Sequence, residues 1–371
     1  MAKRVILAVA GAGKTYHICH NLDLNKRNLI LAFSHENIHN IRRELLTAYG
    51  KIPDRTTVST FDSFVYHNLI LPYEPSIAKH FGRLNFKSQG VCITPPPSKR
   101  IKTQSGQYIS NPHYVRKKFL DHYITKNNQY YCETLSELAL QVKRGRNGLI
   151  KRAVARLNIF FDNVFVDEFQ DFREYDYTLI LEISKYLRSI ILVGDYYQHS
   201  VSAVNNSGKP FDRCTTYETF IQHLKNEGFE VDQTSLVESR RCSKEICTYV
   251  TKKLGINIIS SGINNGRVIW ADNFAEEILA NREILKLVYK NARKFKFRAM
   301  NWSYSKGDTV KAACVILTGK LETLDSESFS PVGIPASTLN KLYVAMTRSS
   351  GDLYLIKSST LEKISHKDGF P

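Results

Sequence analysis

The sequence predicts an α/β protein built on parallel sheets, and three observations carry that prediction. First, an apolar run over residues 5–9 leads into AVAGAGKT (8–15), which reads as a strand, a Gly-rich turn and a helix start. Second, residues 163–171 read NVFVDEFQD, four residues of strand pattern followed by an acidic pair. Third, strand-like runs at 5–9, 29–33, 57–59, 164–166 and 190–193 alternate with helical or irregular stretches. A second set follows at 268–271, 297–301, 314–317 and 353–356. Two α/β units of this rhythm fit a chain of 371 residues, which is long enough to bury two cores.

The turn after the first strand has the residues of a phosphate loop. Gly11 and Gly13 let the backbone turn tightly and approach an anion, and the N–H groups of Ala10, Gly11, Ala12 and Gly13 can cradle phosphates. Lys14 can reach the β- and γ-phosphates, and the Thr15 hydroxyl can ligate Mg²⁺. Ala8 stands where the G-x-x-x-x-G-K-T pattern has its first glycine. In the acidic pair, Asp167 is placed to hold Mg²⁺, and Glu168 to orient and deprotonate the attacking water. The two motifs together predict a site that hydrolyses a nucleoside triphosphate.

Composition points to a polyanionic partner. The formal net charge is +17, and residues 79–156 contribute +13 of it, with 16 Lys or Arg against 3 acids. This window lies in an insertion, residues 68–156, that breaks the strand–helix rhythm. Residues 95–100 (PPPSKR) read as a loop, and the part from Val115 on as more helical. Phe81, Phe86, Tyr108, Tyr114, Phe119, Tyr123, Tyr130 and Tyr131 interleave with its cations, a pattern suited to a single-strand groove. Lys99, Arg100 and Lys102, then Arg116, Lys117 and Lys118, are the candidate backbone contacts.

The seven cysteines are scattered without a C-x-x-C pair, which fits reduced thiols in a cytoplasmic protein and no disulfide frame. His17, Cys19 and His20 fall on the helix behind the phosphate loop and are not expected to hold a metal. The start MAKRVILAVAGAG mimics a signal peptide, but cleavage there would destroy the phosphate loop. No apolar run approaches the ~18 residues of a membrane span. Residues 357–371 read as a polar tail.

With these residues in order, the chain resembles the UvrD/Rep family of superfamily 1 DNA helicases. LILAFSHEN (29–37) is similar to motif Ia, TVSTFDSF (57–64) to motif Ib, and VDEFQD (166–171) to motif II. ILVGDYYQ (191–198) is similar to motif III, SLVESRRCSKEI (235–246) to motif IV, SKGDTV (305–310) to motif V and LYVAMTRS (342–349) to motif VI. The resemblance implies two RecA-like parallel-sheet P-loop domains, 1–210 and 211–371, with the basic insertion in the first. It implies ATP and Mg²⁺ as cofactors, a Gln198 that senses the γ-phosphate, and arginine fingers at Arg348 and at Arg241 or its neighbour Arg240. Gly307 in motif V joins the nucleotide site by the same resemblance. Phe33 and Ser34 of motif Ia and Thr60 and Phe61 of motif Ib are then the matching single-strand contacts.

The chain departs from that family in four places. Almost nothing precedes the first strand, where relatives carry a glutamine motif that reads adenine, so base selectivity is left open and Tyr16 is a base-stacking candidate. His199, Ser200, Val201, Ser202 and Ala203 follow motif III where relatives have stacking aromatics. Motif V has Ser303 and Thr309 in place of a His and a Glu, and Arg241 and Lys306 are too close for the second-domain insertion of relatives. The compact form is more like short UvrD-like proteins of phages and anti-phage systems. The expected function is an ATP-driven translocase on single-stranded DNA, 3′-to-5′ by resemblance, with RNA as an alternative track. The competing expectation is an NTPase switch acting with a partner nuclease in antiviral defence.

Overall fold

The computed structural model describes residues 2–142, 148–199 and 216–365. Its first domain begins with β1 (Ala2–Leu7), α1 (Lys14–His20), β2 (Asn28–Ala32), α2 (His35–Tyr49) and β3 (Thr56–Thr60). After α3 (Phe61–Val65) comes the insertion, with α4 (Glu74–His80), the antiparallel pair β4 (Arg100–Lys102) and β5 (Tyr108–Ser110), then α5 (Leu135–Gln141) and α6 (Leu149–Phe160), which runs out of it. The chain returns through β6 (Asn163–Asp167), α7 (Glu174–Ser184), β7 (Ser189–Gly194), α8 (Tyr217–Asn226) and β8 (Glu230–Asp232). These strands form one parallel sheet in the order β8-β1-β7-β6-β2-β3. Every residue of β2 is buried, as expected for a strand covered on both faces.

The second domain contains α9 (Lys244–Leu254), β9 (Val268–Trp270), α10 (Ala275–Ala280), β10 (Leu285–Val288), β11 (Ala299–Asn301) and β12 (Ala313–Leu317). It closes with α11 (Ala336–Met346), β13 (Leu353–Lys357) and α12 (Ser358–Ser365). Its sheet is also parallel, in the order β9-β13-β12-β10-β11. Two RecA-like α/β domains are therefore present.

Four sequence expectations change. The boundary at 210/211 falls too early, because β8 pairs with β1 and α8 packs Phe220 and Leu224 into the first core. Strand β10 was missed because Lys286 interrupts its apolar pattern. Lys286 is only 1 % exposed, and its ammonium donates to the Asn281 carbonyl. The expected polar tail instead includes α12, whose Leu361 and Ile364 pack with the second sheet. In the insertion, the helical half starts at Leu135 rather than Val115, and much of the insertion shares the first core. Tyr123, Tyr130, Leu135 and Leu157 belong to the same buried cluster as Val5 and Leu7.

A second apolar cluster joins the domains, from Ile6, Ala10 and Ile18 to Trp302, Leu342, Tyr343 and Met346. In a parallel sheet all carboxyl ends lie on one edge, so the segments after β1, β6 and β7 converge there. The second domain is packed against that edge.

Candidate nucleotide site between the two domains

The loop after β1 is fixed by its backbone. The amide of Ala8 donates to the Gly194 carbonyl at 2.8 Å, and that of Val9 to the Leu236 carbonyl at 3.0 Å. Ala8 thus continues the strand pairing, and the structure accommodates a side chain where the strict motif has glycine. Gly11 has no such freedom. Its φ is +73°, and a Cβ there would lie 2.7 Å from both Arg241 Cβ and Ser239 Oγ. Gly13, at φ +79°, caps α1. Ala10 is fully buried, and its amide donates to the Tyr343 hydroxyl at 2.8 Å, so in this structure it shapes the loop and is already committed.

A cleft of about 280 Å³ opens over this loop. Gly11, Gly13, Lys14, Thr15, Tyr16, Asp167, Glu168 and Gln198 line it from the first domain, and Arg241, Gly307 and Arg348 from the second. All four residues proposed for catalysis therefore meet in one place, although Gln198 and Arg348 are 150 positions apart in the chain.

The carboxylates have distinct surroundings. Thr15 Oγ1 donates to Asp167 Oδ2 at 2.7 Å, while Asp167 Oδ1 is buried with no hydrogen-bond partner among the described residues. Burial, and then the neighbouring Glu168 charge, push the Asp167 pKa up. An orphaned, hard oxygen beside a threonine hydroxyl is the donor set that Mg²⁺ prefers, so the residues fit that ion. Glu168 Oε1 lies 3.2 Å from Lys14 Nζ, and Oε2 lies 3.4 Å from Lys306 Nζ and accepts from Gln170 Nε2. Burial alone would raise the Glu168 pKa, but the Lys14 and Lys306 ammonium groups outweigh it and keep the group ionised. Its backbone φ is +52°, a left-handed conformation that costs a non-glycine residue about 1–2 kcal/mol. Gln170 also accepts the Asp195 amide at 3.1 Å.

The two arginines are folded onto their own domain. Arg348 is 1 % exposed and donates to the carbonyls of Val344 (2.8 Å), Ser305 (3.3 Å) and Asp308 (3.4 Å) and to Thr347 Oγ1 (3.3 Å). Burial and the nearby Arg241 charge lower its pKa to about 9. Arg241 donates to Thr309 Oγ1 at 2.8 Å and to the Thr347 carbonyl at 3.2 Å. Arg241, and not Arg240, lines the cleft; Arg240 is exposed and sits 5.2 Å from the Tyr16 ring centroid. Tyr16 is 44 % exposed at the cleft and stacks on His20 at 3.8 Å.

Sequence reading missed the contribution of α2. Asn37, Asn40, Arg43 and Glu44 line the same cleft. The available signal was a polar stripe at positions 37, 40 and 44 beside the buried Ile38, Ile41 and Leu45. Gly194 was also missed: a Cβ there would come within 2.3 Å of Gln170 Oε1.

The nucleic-acid candidates separate into two groups. Lys99, Arg100, Lys102, Arg116, Lys117 and Lys118 are all exposed, but Lys117 is paired with the buried Glu137 and donates to Tyr175 Oη at 2.7 Å. Phe61 is fully buried against Phe64 and Phe172 and cannot stack on a base in this arrangement, which corrects the expectation from motif Ib. Thr60 and Ser34 cap α3 and α2, accepting the amides of Ser63 (3.3 Å) and Asn37 (3.1 Å). Phe33 is partly buried against Phe172 with the Arg173 guanidinium 5.5 Å from its ring. Of the insertion aromatics, Tyr123 and Tyr130 are fully buried and Phe81 and Phe86 pack on the same core. Tyr108 and Phe119 remain exposed, at 67 % and 48 %. Val201 and Ala203, after motif III, lie outside the described residues. Among those residues no helix is long and apolar enough to cross a membrane.

Comparison with family models and with curated proteins returns no match. Among solved structures, the chain is similar to a helicase of the arterivirus PRRSV, with 14 % identity and a TM-score of 0.45 over 99 % of this chain. It is also similar to the arterivirus nonstructural protein 10 helicase solved with DNA, with 12 % identity and a TM-score of 0.46 over 95 % of this chain. A further structure of that helicase gives 11 % identity and a TM-score of 0.46. The chain spans 54 % to 60 % of the length of these proteins.

Proposed function

We propose that this protein is an ATP-dependent motor on single-stranded nucleic acid, of the UvrD-like superfamily 1 kind, with DNA as its track and 3′-to-5′ polarity. The observation that carries the reading is the convergence of Lys14, Thr15, Asp167, Glu168 and Gln198 with Arg241 and Arg348 in one cleft between two α/β domains. Lys14 and the loop amides would hold the triphosphate, while Thr15 and Asp167 would hold Mg²⁺. Bound Mg²⁺ would neutralise charge on the phosphates. Glu168 would orient the attacking water and take its proton, and Gln198 would report the state of the γ-phosphate.

The arginines give this reading its conditional character. Arg348 lines the cleft while donating to carbonyls of its own domain, so its reach toward a phosphate would depend on how the second domain sits against the first. A change in that seating is the event a motor couples to stepping along a strand. The exposed cations of the insertion supply the phosphate contacts outside the cleft.

ATP hydrolysis by the isolated chain, measured with and without poly-dT or poly-U, tests the reading. We expect stimulation by poly-dT and loss of hydrolysis in Lys14→Ala. Hydrolysis indifferent to both polymers would favour the alternative, an NTPase switch that acts on a partner nuclease. No hydrolysis at all would refute the proposal.

A further inference from the structure

Lys306 lies in the segment between β11 and β12, and its ammonium crosses the domain boundary. Nζ is 2.5 Å from Asp171 Oδ1 and 3.4 Å from Glu168 Oε2, and the side chain is 16 % exposed. Glu168 is therefore gripped on both oxygens, by Lys14 from its own domain and by Lys306 from the other. Its left-handed backbone is the kind of strained conformation that persists only where surrounding contacts fix it.

The two lysines are not equivalent. Lys14 is the residue a triphosphate draws to itself, and once it turns to phosphate Glu168 keeps Lys306 and Gln170. The segment bearing Lys306 is pinned on its other side by the arginines: Arg348 holds the Ser305 and Asp308 carbonyls, and Arg241 holds Thr309. Residues 305–309 thus touch the hydrolytic carboxylate and both arginine side chains.

We propose that Lys306 is a positioning residue for hydrolysis: through its ion pairs with Glu168 and Asp171 it sets the water-orienting carboxylate from the opposite domain. The inference rests on the ATPase reading above. It makes the placement of Glu168 depend on the second domain being docked, because separating the domains carries Lys306 away. Hydrolysis then waits for closure even when nucleotide is bound.

The test uses the full chain with saturating poly-dT. ATP turnover and binding of a fluorescent ATP analogue with Mg²⁺ are measured for wild type, Lys306→Met and Lys306→Arg. Lys306→Met should lower kcat about 10- to 100-fold, the range for a misplaced catalytic group. Nucleotide affinity should be unchanged, and Lys306→Arg should recover most of the rate. Thermal unfolding supplies a readout independent of turnover. Asp171→Asn should shift the melting temperature in wild type but not in the Lys306→Met background. Asp171→Asn also loosens the grip from the other side and carries the same kinetic expectation, should the methionine variant fail to fold. An unchanged kcat, equal losses of kcat and affinity, or additive melting shifts would overturn the inference. A wild type that does not hydrolyse ATP refutes the ATPase reading itself; an active wild type with an unaffected Lys306→Met refutes this inference alone.

Discussion

The hydroxyl of Tyr343, on α11 of the second domain, accepts the amide proton of Ala10 in the phosphate loop at 2.8 Å. The same hydroxyl donates to Asp195 Oδ2 at 3.2 Å, so one buried phenol ties the loop after β1 to the end of β7. Tyr343→Phe keeps the ring contact with Tyr197 but leaves both first-domain groups without that partner. Stranding a buried polar group costs about 1–3 kcal/mol. The variant should melt at a lower temperature than wild type; an unchanged melting curve would show that the bridge contributes nothing.

Asp195 gives a pH signature. Burial is the chief cause that raises its pKa to about 6, whereas an unfolded aspartate titrates near 3.9. The folded state therefore binds the proton more tightly. The associated stability is complete below about pH 4 and is lost as pH rises to about 6, at about 1.4 kcal/mol per pH unit. Asp195→Asn carries no such slope. Plotted against pH from 4 to 7, the melting temperature of wild type should fall relative to that of the variant up to about pH 6 and then run parallel. Parallel curves throughout would disprove the assignment.

Neutralising Glu168 or Arg348 should separate binding from hydrolysis. Glu168→Gln should retain the ATP analogue yet turn over a small fraction of wild type. Arg348→Ala should lose about 10³-fold or more, the scale of an arginine finger in phosphoryl transfer. Wild-type turnover in Arg348→Ala would remove the second domain from the reaction.

The insertion should bind nucleic acid without reading sequence. Replacing Lys99, Arg100 and Lys102 with alanine should make the log–log salt dependence of single-strand binding shallower by about 0.7 per lost contact, equally for different sequences. Arg116→Ala with Lys118→Ala should act in the same way. Lys117→Ala should act differently, because Lys117 already partners Glu137 and Tyr175; its effect belongs in the melting temperature. Unchanged slopes in both exposed sets would assign the insertion another role.

The absence of aromatics at Val201 and Ala203 adds an expectation from sequence alone. Base stacking is worth about 1–3 kcal/mol per base, comparable to the ~1.4 kcal/mol mean cost of a duplex stacking step. The isolated chain should translocate yet unwind poorly. Robust single-turnover displacement of a 3′-tailed duplex by the monomer would contradict this.

Much of the first domain's share of the cleft was readable from local sequence. The residues 8–15 and 163–171 each combine an apolar strand with polar groups at fixed offsets, and in a parallel sheet such segments must place those groups on one edge. That Lys14, Thr15, Asp167 and Glu168 would meet was therefore expected before any coordinates. The second-domain residues that meet them were legible only through family resemblance, and Lys306 and Tyr343 were not legible at all. A lysine in SKGD or a tyrosine in LYVAM has no local mark that it will cross a domain boundary.

The structure also decided which aromatics are available. Phe61, Tyr123 and Tyr130 look like stacking residues in sequence, but the first sheet needs apolar volume on that face and absorbs them. Lys286 hid an inner strand because its alkyl stem packs inside while its ammonium finds a carbonyl. The sequence determined by itself the strand-plus-loop motifs and the charge distribution, since both depend on neighbours within a few residues. Tertiary structure alone decided burial, domain boundary and the cross-domain ion pairs, since these arise where segments distant in the chain compete for the same space.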